Sequence, residues 1–176
     1  MADYFPGEIR IGGNVSADLL EELLGELSST GAKVGGYDGT EFNCQSADEL
    51  RQALDENGHL FLVNDQARFG MFEEVEGFLC EHDIPFDRHS DARYEFDAEN
   101  VRFRPGMDRP VEVSSNGTGD DLMDVDVIRP VAKELACLAE AKLTHDKLLA
   151  AVQEASRKLN EVLPPEVESL PPLQVV

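Results

Sequence analysis

The chain has 176 residues, of which 41% are hydrophobic, and carries 36 acidic against 15 basic side chains, a formal net charge of −21. That length and apolar content are enough for a buried core without disulfide or metal staples, and they exclude disorder throughout. A field of this sign repels nucleic-acid backbones and anionic lipid and attracts basic surfaces, so direct nucleic-acid or membrane binding is not expected and basic proteins are the expected partners.

The first half reads as a β-α rhythm. Glu8-Ile9-Arg10-Ile11 is a strand ended by Gly12-Gly13. The next segment starts at Ser16 as N-cap and sets Leu19, Leu20, Leu23, Leu24 and Leu27 on one helical face, leaving Asp18, Glu21, Glu22 and Glu26 for solvent. Lys33-Val34 opens an extended stretch to Phe42, weakened by Gly35, Gly36 and Gly39. Ser46-Ala47-Asp48-Glu49 is a capping box: the serine oxygen accepts from the Glu49 amide, and that carboxylate reaches back to the Ser46 amide. His59-Leu60-Phe61-Leu62-Val63 is an apolar run of strand length, expected to be interior and buried on both faces. Met71, Phe72, Val75, Phe78 and Leu79 then recur at helical spacing, opposite Glu73, Glu74, Glu76 and Glu81.

Beyond Ile84-Pro85-Phe86 the pattern changes. Tyr94 and Phe96 alternate with polar residues, as do Val101 and Phe103, which predicts a β-hairpin around residues 97–100; Val111-Glu112-Val113 adds a short strand. From Pro130, which fits a first helical turn, Val131, Leu135 and Leu138 form one stripe and Leu148, Leu149, Val152 and Leu159 another. Either one helix runs to Leu163, or two meet near Thr144. The predicted fold is α+β: a two-layer mixed sheet covered by acidic-faced helices over residues 1–113, an acidic polar linker over 114–129, a helix or helix pair over 130–163, and an extended, Pro-rich tail over 164–176 that packs back or serves as a docking peptide.

The chemistry-bearing motifs are sparse. Asp87-Arg88-His89-Ser90-Asp91 places a histidine among carboxylates, as proton transfer or metal binding would need, but adjacent side chains diverge and a side-chain-bonded turn is the favoured reading. His82 at a helix end reads as a cap. Asp120, Asp121, Asp124 and Asp126 lack the glycine and glutamate of a calcium loop. Neither Gly12-Gly13 nor Gly35-Gly36 continues as a phosphate-binding loop. Cys44, Cys80 and Cys137 are far apart, odd in number and without a CxxC pair, so they read as reduced thiols. No catalytic residue, metal or cofactor is predicted. The opening residues lack a basic and apolar leader, so the expected location is cytoplasmic.

The excess charge is uneven. Residues 1–87 hold 19 acids and 4 bases, a net −15, against 17 and 11, a net −6, over residues 88–176. Carboxylates on neighbouring helices can match the density of duplex phosphates, about 1.7 Å per charge along the axis. The expected function is therefore a non-enzymatic inhibitor whose carboxylates Asp18, Glu21, Glu22, Glu26, Glu73, Glu74, Glu76 and Glu81 occupy a basic nucleic-acid-binding surface on a partner. Two alternatives stand beside it: an adaptor or homodimer built through the C-terminal helix and tail, and a small hydrolase or metal-dependent enzyme centred on Asp87, His89 and Asp91.

The blocks Tyr4-Phe5-Pro6, Ile9-Arg10-Ile11-Gly12-Gly13, Phe86-Asp87-Arg88-His89-Ser90-Asp91 and Phe103-Arg104-Pro105-Gly106 resemble those of small uncharacterised proteins of bacteria and mobile elements. In size and charge the chain is similar to acidic DNA-mimic inhibitors of the anti-restriction and anti-CRISPR type. That class has no common motif, so the resemblance implies inhibition of a nucleic-acid-binding protein without assigning residues.

Overall fold

The computed structural model describes residues 3–93 and 95–176; Tyr94, placed by its sequence in a hairpin arm, lies outside the described residues. In chain order the elements are β1 (Tyr4–Ile11), β2 (Asn14–Val15), α1 (Ala17–Ser29), β3 (Lys33–Val34), β4 (Thr40–Glu41), α2 (Ala47–Gln52), β5 (Leu60–Arg68), α3 (Glu73–Glu81), β6 (Phe86–Ser90), β7 (Glu99–Phe103), β8 (Val111–Ser114), α4 (Val125–Glu140), α5 (His145–Val162) and β9 (Gln174–Val175). They divide into a first unit, Met1–Asp121 with Val167–Val176, and a second, Leu122–Glu166.

The first unit is built on a seven-stranded sheet in the order β4-β3-β5-β1-β6-β7-β8. The α+β class matches expectation, but every pairing in this sheet is antiparallel, and parallel pairing is confined to the small β2-β9 sheet. The β-α rhythm does not give adjacent parallel strands because β1 inserts between β5 and β6, the two strands that α3 connects. The order β3-β5-β1-β6 with α1 and α3 as connections is the split β-α-β plan of ferredoxin-like sheets, widened by β4 on one side and by β7 and β8 on the other.

Register fixes the two faces. Leu60, Ile11, Phe86 and Phe103 form one cross-strand row on the helix side, and Leu62, Ile9, Arg88 and Val101 the next. Leu23, Leu24 and Leu27 of α1 and Val75 and Leu79 of α3 pack on these rows and complete the core. Burying a side chain of this kind is worth about 1.5–3 kcal/mol, which is why the leucine and valine stripes place both helices on this face. The opposite face carries Val63, Glu8, His89, Asn100 and Val113 in one row and Phe61, Arg10, Asp87, Arg102 and Val111 in the other.

Several local expectations shift. The strand predicted over 8–11 begins at Tyr4 and passes a register irregularity between Phe5 and Gly7 that accommodates Pro6. The run at 59–63 is interior and buried on both faces at Leu60, Leu62 and Val63, but Phe61 is partly exposed, with the Arg10 guanidinium 4.1 Å from its ring centroid. In the capping box Ser46 accepts from Glu49 N at 3.3 Å, while Glu49 reaches Gln45 N at 2.7 Å, one residue before the expected Ser46 amide. The hairpin exists, but its arms are β6 and β7, so residues 97–100 do not form its turn. Asp87-Arg88-His89-Ser90 accordingly lies in a strand, not a turn. The polar segment 114–121 stays with the first unit, Ser115 N donating to Ala98 O at 2.8 Å.

The tail packs back. Leu173 is buried in the core, its N–H donates to Gly58 O at 2.8 Å, and Gly13 N donates to Pro171 O at 3.1 Å. Ser16 occupies the N-cap position of α1 without a side-chain cap bond; instead Ala17 N donates to Val176 O at 3.0 Å.

The second unit is a helical hairpin. α4 starts five residues before Pro130, capped by Asp124, whose carboxylate accepts from Asp126 N at 2.8 Å, so Pro130 lies in the second turn and not the first. The stripe breaks into two helices with Thr144 at the second N-cap, and Lys158 bridges them to Glu134 at 2.9 Å. Among the described residues no helix is long and apolar enough to cross a membrane.

Candidate functional site

α1 and α3 pack side by side on the sheet and turn their polar faces outward. Asp18, Glu21, Glu22, Glu73, Glu74 and Glu81 are exposed and Glu26 is half-exposed, because each lies opposite the buried Leu23, Leu24 and Leu27 or Val75 and Leu79. Of these seven, Glu73 alone has a cation near it among the described residues, Arg68 Nη1 at 3.7 Å.

Glu76 does not belong to this surface. It lies on the flank of the Phe72-Val75-Leu79 stripe, with Oε1 accepting from Phe72 N at 2.8 Å and facing Arg88 Nε at 3.0 Å. Arg88 is inward because Phe86, Arg88 and Ser90 alternate toward the helices, and it also meets Glu99 at 2.5 Å. A buried guanidinium needs such carboxylates, so Glu76 is spent inside the fold.

A concavity lies on the opposite face of the sheet. Strand alternation aims Asp87 and His89 the same way, and the neighbouring strands add Glu8, Arg10, Asn100 and Arg102, with Tyr37 from the β3-β4 loop closing a basin of about 520 Å³. His89 Nδ1 sits 2.9 Å from Asn100 Oδ1 and 3.4 Å from Ser115 Oγ, and Nε2 lies 3.5 Å from Asp91 Oδ1. Asp87 is held by Arg104 at 2.7 Å. Partial burial of a side chain that is still 43% exposed, followed by the carboxylates of Glu8 and Asp91, pushes the Tyr37 phenol up to about 12. Asp87, His89 and Asp91 therefore share one basin, although each is engaged by a protein group. Sequence reasoning missed Glu8, Arg10, Asn100 and Arg102. The available signal was polar residues two apart in adjoining strands.

The acidic run after residue 119 divides into separate structural jobs. Asp120 accepts from Asn116 at 3.0 Å and Thr118 at 2.8 Å, which holds its carboxyl below the usual range. Asp121 forms a two-pronged pair with Arg102 at 2.7 and 2.8 Å, also lowering its pKa. Asp124 caps α4, and Asp126 pairs with Arg129 at 2.8 Å. Among the described residues no three His, Cys, Asp or Glu side chains gather as metal ligands. Cys44 and Cys80 are free thiols pushed toward the protonated form, first by burial and then by Glu49 and Glu76 respectively.

Compared with protein-family models, curated proteins and solved structures, the chain matches none.

Proposed function

We propose that the chain is a non-enzymatic binding protein that docks the acidic face of α1 and α3 onto a basic, nucleic-acid-binding surface of another protein and so blocks it. The observation that carries this reading is the joint exposure of Asp18, Glu21, Glu22, Glu74 and Glu81 on two adjacent helices, with no ion-pair partner among the described residues. Unpaired carboxylates at this density cost self-repulsion, and a cationic groove is the surface that relieves it.

The test is capture of basic proteins from a lysate by the full chain and by a variant carrying Glu21→Gln, Glu22→Gln, Glu73→Gln and Glu74→Gln. A captured DNA-binding protein should be displaced by duplex DNA, should bind the variant on the order of tenfold or more weakly, and should be lost between about 50 and 200 mM salt. Capture that ignores DNA, the variant and salt overturns the proposal.

One observation favours a second reading, self-association through α4 and α5. Of the twelve large hydrophobics that are exposed among the described residues, nine lie between Leu122 and Leu163. Val127, Leu135, Leu149 and Val152 belong to that set, and such concentrations mark interaction surfaces.

A further inference from the structure

A separate cleft of about 680 Å³ lies beside the far end of β1, β6 and β7, a size within the roughly 300–1,000 Å³ of small-molecule sites. Its floor is aromatic: Phe96 stands 5.9 Å from Phe5 and 5.4 Å from Phe69, centroid to centroid, with Met71 alongside. The backbone is committed to this arrangement. Phe69 has φ 54°, a left-handed conformation that a bulky aromatic rarely adopts, and it persists only where the surroundings over-determine it. Gly70 follows at φ 67°, and a Cβ there would come within 2.6 Å of both Phe5 Cε2 and Ser90 Cβ, so the turn that presents Phe69 is locked against β1 and β6.

The rim is anionic. Glu95, Asp97 and Glu112 border the cleft and are exposed. Glu99 also borders it but is already paired with Arg88. Aromatic faces carry negative charge density, so rings and carboxylates lining one cleft select a positive group with an apolar skin. One of these rings already accepts a guanidinium from its own chain: Arg68 Cζ lies 5.5 Å from the Phe69 centroid. A bare inorganic cation would gain nothing from the rings, which cannot replace its hydration.

We propose that this cleft binds an organic cation, a guanidinium or alkylated ammonium head. The inference is independent of the acidic helical face, since the cleft takes no residue from α1 or α3.

Amide NMR of the full chain, titrated with choline chloride and butylguanidinium chloride, tests it, with dimethylbutanol as the uncharged counterpart of choline and sodium chloride as the ionic control. Both cations should give saturable shifts at Phe69, Phe96 and Ala98, with the alcohol at least about tenfold weaker. Phe96→Leu, which keeps apolar volume but loses the π face, should weaken binding by about fivefold. Glu112→Gln, at an exposed position on the edge strand β8, should do so without disturbing the fold, and it stands alone if Phe96→Leu unfolds. Nα-acetyl-arginine methylamide separates the sources: tighter binding than butylguanidinium assigns the cation to a partner's side chain, and equal or weaker binding assigns it to a free small molecule. Shifts that track ionic strength alone, or that the alcohol reproduces at equal concentration, overturn the proposal.

Discussion

Arg88 is 4% exposed, its Nη2 donates to Glu99 at 2.5 Å, and its Nε lies at ion-pair distance from Glu76, 3.0 Å, while neither Nε nor Nη1 makes a hydrogen bond among the described residues. Removing one of the two carboxylates leaves a buried charge under-compensated, a loss of about 3–5 kcal/mol for a fully buried pair. Glu76→Gln, which keeps the volume of the side chain, is therefore expected to cost about 3 kcal/mol in urea unfolding, whereas Glu74→Gln, two residues away and exposed, should stay within about 0.5 kcal/mol. Equal effects would return Glu76 to the outer face. The distinction was legible in the sequence, because Phe72, Val75, Glu76 and Leu79 share one helical face by spacing, while grouping by charge hid it. The pairing with Arg88 was not legible, since it depends on how α3 lies over β6.

Tyr37 gives the residue-scale pH dependence. Its folded value is pushed up to about 12, first by burial and then by Glu8 and Asp91, above the roughly 10 of an unfolded tyrosine. The folded chain thus keeps a proton that the unfolded chain releases, so the contribution is complete below about pH 10 and is lost as pH rises toward the folded value. Glu8→Gln removes the charge but keeps an amide oxygen that can accept from the phenol, leaving only part of the elevation. Ring-labelled tyrosine NMR should find Tyr37 titrating closer to its ordinary value in that variant, and an unchanged midpoint would exclude Glu8 as a cause.

At the scale of elements, the tail is the feature the sequence described but did not place. Its prolines and apolar end predicted an extended segment, and the structure adds what receives it: Gly12 and Gly13 after β1, Gly58 before β5, and Arg104, whose Nε donates to Glu168 O at 2.9 Å. Gly12 is required because a Cβ there would collide with Pro171 O. The two glycines first read as a strand-ending turn are thus also a seat for the tail, a role visible only when chain segments over 150 residues apart are brought together. Leu173→Ala should cost about 2–5 kcal/mol, as for other buried leucines. Gly12→Ala should expel the tail while the sheet persists, read as new protease cleavage after residue 163 and loss of amide protection at Leu173 and Val176. Protection equal to that of the unsubstituted chain would show that the seat tolerates a methyl group. The hairpin is similarly half-legible: alternation at Val101 and Phe103 identifies β7, but alternation at residues 94–96 points to the wrong partner, since a strand reading Phe-Asp-Arg-His-Ser looks polar unless Arg88 is an inward ion-pair residue.

At the scale of the whole molecule, the acidity separates more completely than the sequence suggested. Cutting at Asp87 leaves −6 in the second half, but β6, β7 and β8 belong to the same sheet as β1, so the physical boundary falls after Asp121. The first unit then holds 28 acids and 9 bases, a net −19, and the helical unit 8 and 6, a net −2. Three responses to salt follow, with different signs. Screening relieves repulsion within the first unit, so its unfolding temperature should rise from about 50 to 500 mM sodium chloride. The same screening should weaken docking on a basic partner over that range. Self-association through the apolar, near-neutral hairpin should hold or strengthen, because apolar burial does not depend on the fields that salt removes. Thermal unfolding, capture and sedimentation velocity on one salt series separate the three, and Leu149→Lys should abolish the sedimentation shift alone. An unfolding temperature that falls with salt would mean that the carboxylates of the first unit are stabilised by attraction within the fold, leaving the acidic helical face no unrelieved repulsion for a basic partner to remove.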